Sequence, residues 1–117
     1  MHNFKELKVW KVGIELCKTI FELTRIFPGE EKYGLISQIT RSATSIPSNI
    51  AEGCGRKSNK DFYQFLNISL GSSFELETQI IIAKEFNYIS AEKASIVCDQ
   101  IVEIQKMIYG LQKSLNT

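Results

Sequence analysis

The chain has a single histidine, His2, beside the amino terminus. Without an internal imidazole, neither a Ser-His nor a Cys-His nucleophile pair can be built. No Glu-x-x-His recurs as it does in diiron bundles, so no metal is expected. Cysteine is scarce and odd in number. Cys17, Cys54 and Cys98 are far apart, lack zinc spacing and form no disulfide framework, a pattern that suits a reducing cytoplasm. No phosphate loop is present, because Gly53-Cys54-Gly55-Arg56-Lys57-Ser58 lacks the Walker spacing and follows a helical pattern rather than a strand. No catalytic residue and no cofactor are therefore expected. Long apolar runs are missing as well, which excludes a membrane span. Met1-His2-Asn3-Phe4-Lys5 leads straight into a charged periodic segment, so no signal peptide is expected. An excess of one charge is absent too: the net charge is +1. A dedicated nucleic-acid binder usually carries a clear basic surplus. Any such binding here must come from a local patch, or from repetition in an oligomer.

What is present is helical period. The 117 residues suit one domain, 1–117, with a modest core. Four segments are separated by short breakers. The first runs from about Glu6 to Phe27, ended by Pro28-Gly29. It carries two adjacent apolar rows: Leu7, Trp10, Ile14, Cys17, Phe21 and Thr24 beside Val9, Gly13, Leu16, Ile20, Leu23 and Phe27. That face is wider than a two-helix seam needs. The second runs from about Glu30 to Cys54, with Glu30 and Glu31 placed in its first turn against the helix dipole. Its core row is Ile36, Ile39, Ala43, Ile46, Ile50 and Gly53. Pro47 predicts a kink with Thr44, Ser45 and Ser48 hydroxyls serving the freed backbone groups; a full break at Ile46-Pro47 is the alternative. Gly53 or Gly55 is expected to supply a left-handed cap.

The third segment opens on Ser58 as cap, with Asp61 three residues on. Its row is Phe62, Leu66, Ser69, Ser73, Leu76, Ile80 and Ala83. Gly71 in its middle costs roughly 1 kcal/mol against alanine, which predicts a packing reason for it. The fourth begins at Ser90. Ala94, Val97, Ile101, Ile104, Ile108, Leu111 and Leu115 step three, four, three, four, the row that shallow bundle packing favours. The fold class expected is all-α: an antiparallel up-down four-helix bundle, its second helix kinked at Pro47.

Charge is spread unevenly. Residues 41–60 carry Arg41, Arg56, Lys57 and Lys60 against Glu52, a balance of +3, while residues 75–103 balance to −4. Arg41, Ser45, Asn49, Glu52 and Arg56 recur every three or four residues and share one helical face. One reading is a strip for phosphates, extended by Lys57 and Lys60, with an anion held where the third helix starts. The other is internal, with Glu52 and Arg56 paired and the small polar residues at a subunit interface. Cys54 reads as a small residue at a helix end, the alternative being an exposed reactive thiol.

Several long stretches together resemble one family. They are Phe4-x-x-Leu7-x-Val9-Trp10; Phe27-Pro28-x-Glu30-x-x-Tyr33-Gly34-Leu35-x-x-Gln38-x-x-Arg41-Ser42; Ser45-Ile46-Pro47-Ser48-Asn49-Ile50-Ala51-Glu52-Gly53-x-Gly55-Arg56; and Phe62-x-x-Phe65-Leu66-x-Ile68-x-x-Gly71-Ser72-x-x-Glu75-Leu76. The pattern is similar to bacterial four-helix-bundle proteins encoded by intervening sequences within 23S ribosomal RNA genes. It runs from Phe4 to about Ile82, and the fourth helix matches in character only. The family's label "S23 ribosomal protein" reflects gene location. The resemblance implies a homopentamer. It also implies kinship with accessory proteins of diversity-generating retroelements, which are basic pentameric barrels that bind nucleic acid and a reverse transcriptase. The expectation is a cytoplasmic, non-enzymatic oligomer that binds RNA, or an RNA-handling protein, through Arg41, Arg56, Lys57 and Lys60. Its rival is a protein-interaction scaffold that binds no nucleic acid.

Overall fold

The segments with helical period are helices. The computed structural model describes residues 3–115, so His2 lies outside the described residues. A 3₁₀ turn at Phe4–Glu6 leads into α1 (Lys8–Thr24). A second 3₁₀ turn, Gly29–Glu31, precedes α2 (Leu35–Cys54), and α3 (Asn59–Glu85) and α4 (Ala91–Ser114) follow. Strands are absent among the described residues, and none of these helices is long and apolar enough to cross a membrane.

Local chemistry sets the helix ends. Ser58 Oγ accepts the Asp61 N–H and Ser90 Oγ the Lys93 N–H, each at 3.1 Å, so both expected caps are formed. Both ends of α2 differ from expectation. Glu30 and Glu31 do not open α2. They occupy the separate 3₁₀ turn after Pro28, and the helix starts only at Leu35. Glu31 still serves that start, because its carboxylate accepts the Leu35 N–H at 3.3 Å. Neither Gly53 nor Gly55 is left-handed; Gly55 ends α2 at φ −80°. The left-handed residue is Asn87, at φ 62°, just after α3. Its N–H donates to the Lys84 carbonyl and the Tyr88 N–H to the Ala83 carbonyl, both at 2.9 Å, so the chain reverses through a Schellman pair.

Cross-helix contacts fix the directions. Gly13 faces Pro47 while Cys17 reaches Ala43, so α1 and α2 are antiparallel. Ser69 bonds the Ile46 carbonyl and Ser72 bonds Ser45, so α2 and α3 are antiparallel. Gln105 meets Glu77 and Gln112 meets Asn67, so α3 and α4 are too. Each helix packs on its two neighbours and not on its diagonal, the square of an up-down bundle. The molecule is 43 Å long and 24 by 20 Å across. Ile20, Ile39, Ile46, Ile50, Leu66, Leu76, Ile80, Ile101, Ile104 and Ile108 are fully buried. Each contributes about 1.5–3 kcal/mol by leaving water. Of the two rows on α1, the one from Val9 to Phe27 is the buried one. Trp10, Ile14 and Cys17 are half-covered, and Phe21 is exposed.

Helix α2 runs through Pro47 without a break. A proline there brings no N–H to the carbonyl of Ala43. The expected hydroxyls do not serve it: Thr44 bonds the Thr40 and Arg41 carbonyls, and Ser45 bonds Ser72. Instead the Cys17 thiol of α1 donates to the Ala43 oxygen at 3.2 Å. Gly13 makes room for the ring, since a Cβ there would stand 3.2 Å from Pro47 Cβ.

Candidate nucleic-acid interface

The up-down topology gathers the start of α1, the end of α2, the start of α3 and the end of α4 at one end of the bundle. Arg56, Lys57 and Lys60 sit there, around the α2–α3 turn, and all three are exposed. Arg56 is held in place. It donates to Glu52 at 2.9 Å, and its guanidinium lies 4.7 Å from the centre of the Phe65 ring. Lys57 and Lys60 flank the Ser58 cap. Asp61 places its own carboxylate in the first turn of α3 and gives its N–H to Ser58, so the helix start is already served from within the chain.

Arg41 does not join this group. It is exposed on α2 fifteen residues before Arg56, about 22 Å away at 1.5 Å per residue. The stripe between them is largely occupied. Ser45 Oγ lies 2.7 Å from Ser72 Oγ, and Asn49 donates to the Ser45 carbonyl and hydroxyl at 2.8 and 2.9 Å. The middle of the strip is therefore part of the α2–α3 contact.

The fold supplies other cations in its stead. Asn59 of α3 donates to the Leu115 carbonyl at 3.3 Å, tying the end of α4 beside Lys57 and Lys60. Lys113 and Lys106 come with it. The first 3₁₀ turn packs on α2 and brings Lys5, Lys8 and Lys11. Lys5 rests over the Phe4 ring at 5.9 Å, and Phe4 meets Trp10 edge-on at 5.2 Å. The contact of Gly13 with Pro47 and Ile104 marks the waist of the bundle. Beyond it, residues 3–12, 48–71 and 105–115 hold eight basic against three acidic side chains, a balance of +5. Residues 13–47 and 72–104 hold six basic against ten acidic, a balance of −4. A nearly neutral chain is thus folded into a strongly polar one. Lys5, Lys8, Lys11, Lys106 and Lys113 are missed by reading charge in windows. The signal that finds them is antiparallel topology, which joins odd helix starts to even helix ends.

Burial works against reactivity at the three thiols. Cys54 is buried rather than exposed, and burial pushes its pKa up. Burial raises Cys17 to about 11. Cys98 is raised by burial first, then by Glu77 and Asp99. Thiolate, the reactive form, is disfavoured at each. Among the described residues, no three His, Cys, Asp or Glu side chains gather to hold a metal ion.

Residues 5–110 match the model of the 23S rRNA-intervening sequence protein family. No curated protein matches the chain. Among solved structures, the chain is similar to a protein with unknown function from the S23 ribosomal protein family of Bacteroides thetaiotaomicron VPI-5482. The two are 30% identical with a TM-score of 0.83, over 90% of this chain and 98% of that one.

Proposed function

The chain belongs to the 23S rRNA-intervening sequence protein family, and from that premise and its charge layout we propose a non-enzymatic, self-associating helical module that binds RNA through its basic end. One observation carries the reading: the half of the bundle that holds the start of α1, the α2–α3 turn and the end of α4 carries eight basic side chains against three acidic ones. Phosphate binding by lysine and arginine is driven by counterion release, so a concentrated cationic end binds RNA even when the whole chain is near neutral. Self-association multiplies such an end, and a ring of five is the state that the family resemblance implies. Arg56, Lys57 and Lys60 act at this end, and Arg41 stands apart from it. The module works in the cytoplasm, a reading that rests on three cysteines of which none is joined in a disulfide.

A labelled structured RNA titrated with the purified oligomer, at low and at physiological salt, tests the proposal. Saturable binding that weakens with salt is expected. It is expected to be lost in an Arg56→Glu/Lys57→Glu variant of unchanged size. No binding even at low salt overturns the RNA reading. The scaffold reading would then stand in its place, favoured by Arg56 being already engaged with Glu52 and Phe65.

A further inference from the structure

The four seams of the bundle are not equally closed. Side-chain hydrogen bonds cross from α1 to α2, from α2 to α3 and from α3 to α4. The α1–α4 pair touches least of the four, and no ion pair crosses it among the described residues. Toward the end of α1 this seam opens into a pocket of about 320 Å³. Its lining includes the buried Leu23 and Val97. Ile26, just past the end of α1, and Ile96 of α4 line it too, yet they are 56% and 54% exposed. Apolar surface left in water forgoes about 25 cal/mol per Å², so two half-bare isoleucines at one pocket favour an apolar occupant. Its volume is at the lower end of small-molecule sites, which run from roughly 300 to 1,000 Å³ and in bundles lie between helices.

Two charges line the same pocket, Glu22 from α1 and Lys93 from α4. They stand on opposite helices, and neither is in an ion pair among the described residues. The other charges nearby do not line it: Lys18 is held by Glu15 at 3.3 Å, and Arg25 and Glu92 are exposed outside the lining. The helix termini add the same signs, because α1 ends near Glu22 with unpaired carbonyls and α4 begins near Lys93 with its N–H groups. This layout sorts ligand classes. An apolar acid meets repulsion from Glu22, and an apolar amine meets it from Lys93. A neutral apolar ligand strips water from both charges and gives nothing back. A phosphate-bearing ligand is disfavoured as well, since the pocket lies in the half of the bundle that balances to −4. A small zwitterion with an apolar side chain answers both charges and the apolar lining together.

We infer that the α1–α4 seam binds a free apolar α-amino acid. Its side chain lies against Leu23, Ile26, Ile96 and Val97, its ammonium meets Glu22 and its carboxylate meets Lys93. The site is separate from the basic end and does not depend on the RNA reading.

Titration of the isotope-labelled full chain with L-leucine, followed by the NMR shifts of its backbone amides, tests it. Saturable shifts are expected at residues 19–26 and 93–97. Glycine, which has both charges and no side chain, should not produce them. N-acetyl-leucine lacks the ammonium and leucinamide lacks the carboxylate. Each should bind roughly tenfold or more weakly than L-leucine, the effect of losing one charge-assisted hydrogen bond. Glu22 and Lys93 are exposed, so Glu22→Gln and Lys93→Gln should keep the wild-type helical signal. Glu22→Gln should bind L-leucine and N-acetyl-leucine alike, and Lys93→Gln should bind L-leucine and leucinamide alike. No saturable shift up to the solubility of L-leucine overturns the inference. So do shifts centred outside the two segments. Equal binding of L-leucine and its two derivatives by the wild type, or wild-type discrimination kept by both folded variants, overturns it as well.

Discussion

Gly53 and Gly71 look alike in the sequence and have opposite surroundings. At Gly53 a Cβ would fall 2.6 Å from Phe65 Cβ and 2.8 Å from Phe62 Cδ1, so the end of α2 can approach the start of α3 only without one. Gly53→Ala should cost about 1–3 kcal/mol of stability, as overpacking does. At Gly71 a Cβ would meet nothing within 4 Å, so the packing reason expected for that glycine does not exist within the chain. Gly71→Ala should add up to roughly 1 kcal/mol to the monomer through helix propensity alone. Urea unfolding of dilute protein checks both, and a loss at Gly71 would contradict that open surrounding. Cys17 carries a second residue-scale consequence. Removing its thiol leaves the Ala43 carbonyl beside Pro47 without that donor, so Cys17→Ala should cost about 1 kcal/mol. Its pKa, raised by burial from near 9 to about 11, gives the sign with pH. Below 9 the thiol is protonated whether folded or unfolded and pH has no effect through it. From there to about 11 the unfolded chain loses the proton and the folded one keeps it. Stability must therefore fall with rising pH over that window. The fall should be steeper in the wild type than in Cys17→Ala when unfolding is measured at stepped pH.

At the scale of elements, period and capping were legible and junctions were less so. The heptad row of α4 is buried from Ala94 to Ile108, with Leu111 and Leu115 packed against it. Ser58 and Ser90 cap the helices they precede. Glu30 and Glu31 misled because acidic residues suit any helix start. Here Pro28 launches a 3₁₀ turn instead, and Glu31 turns back to Leu35 and to the Tyr88 hydroxyl at 2.7 Å. The α3–α4 reversal was readable only as a turn. Its left-handed residue is an asparagine, whose short amide side chain tolerates that backbone better than most. Asn87→Ala should then cost about 1 kcal/mol, while Asn87→Gly should be neutral or slightly stabilising. Thermal melts of the two variants separate these outcomes. Equal losses in both would mean that the amide, and not the backbone, matters there.

At the scale of the molecule, the layout of the proposed basic end was half legible. Arg56, Lys57 and Lys60 lie together because they are close in the chain. Arg41 shares their helical face, but helical rise carries it to the other half of the bundle. The remaining cations could not be found from any window, because Lys8 and Lys113 stand more than a hundred residues apart in the sequence. Only the alternation of helix direction brings them to one end, and the same alternation sends the acidic half of α3 and α4 to the other. The polarity is thus a property of topology acting on an unremarkable composition. It predicts that cations distant in sequence act as one surface.

The most direct test is the salt dependence of RNA binding by a Lys8→Glu/Lys113→Glu variant beside an Arg41→Glu variant and the wild type. A basic end that acts as one surface predicts weaker binding by the double variant. Its plot of log K against log salt should be shallower by about 0.7–0.9 for each phosphate the variant no longer neutralises. Arg41→Glu should keep nearly the wild-type slope. Equal slopes for the wild type and the double variant, or a loss confined to Arg41→Glu, would contradict a basic end as the binding surface.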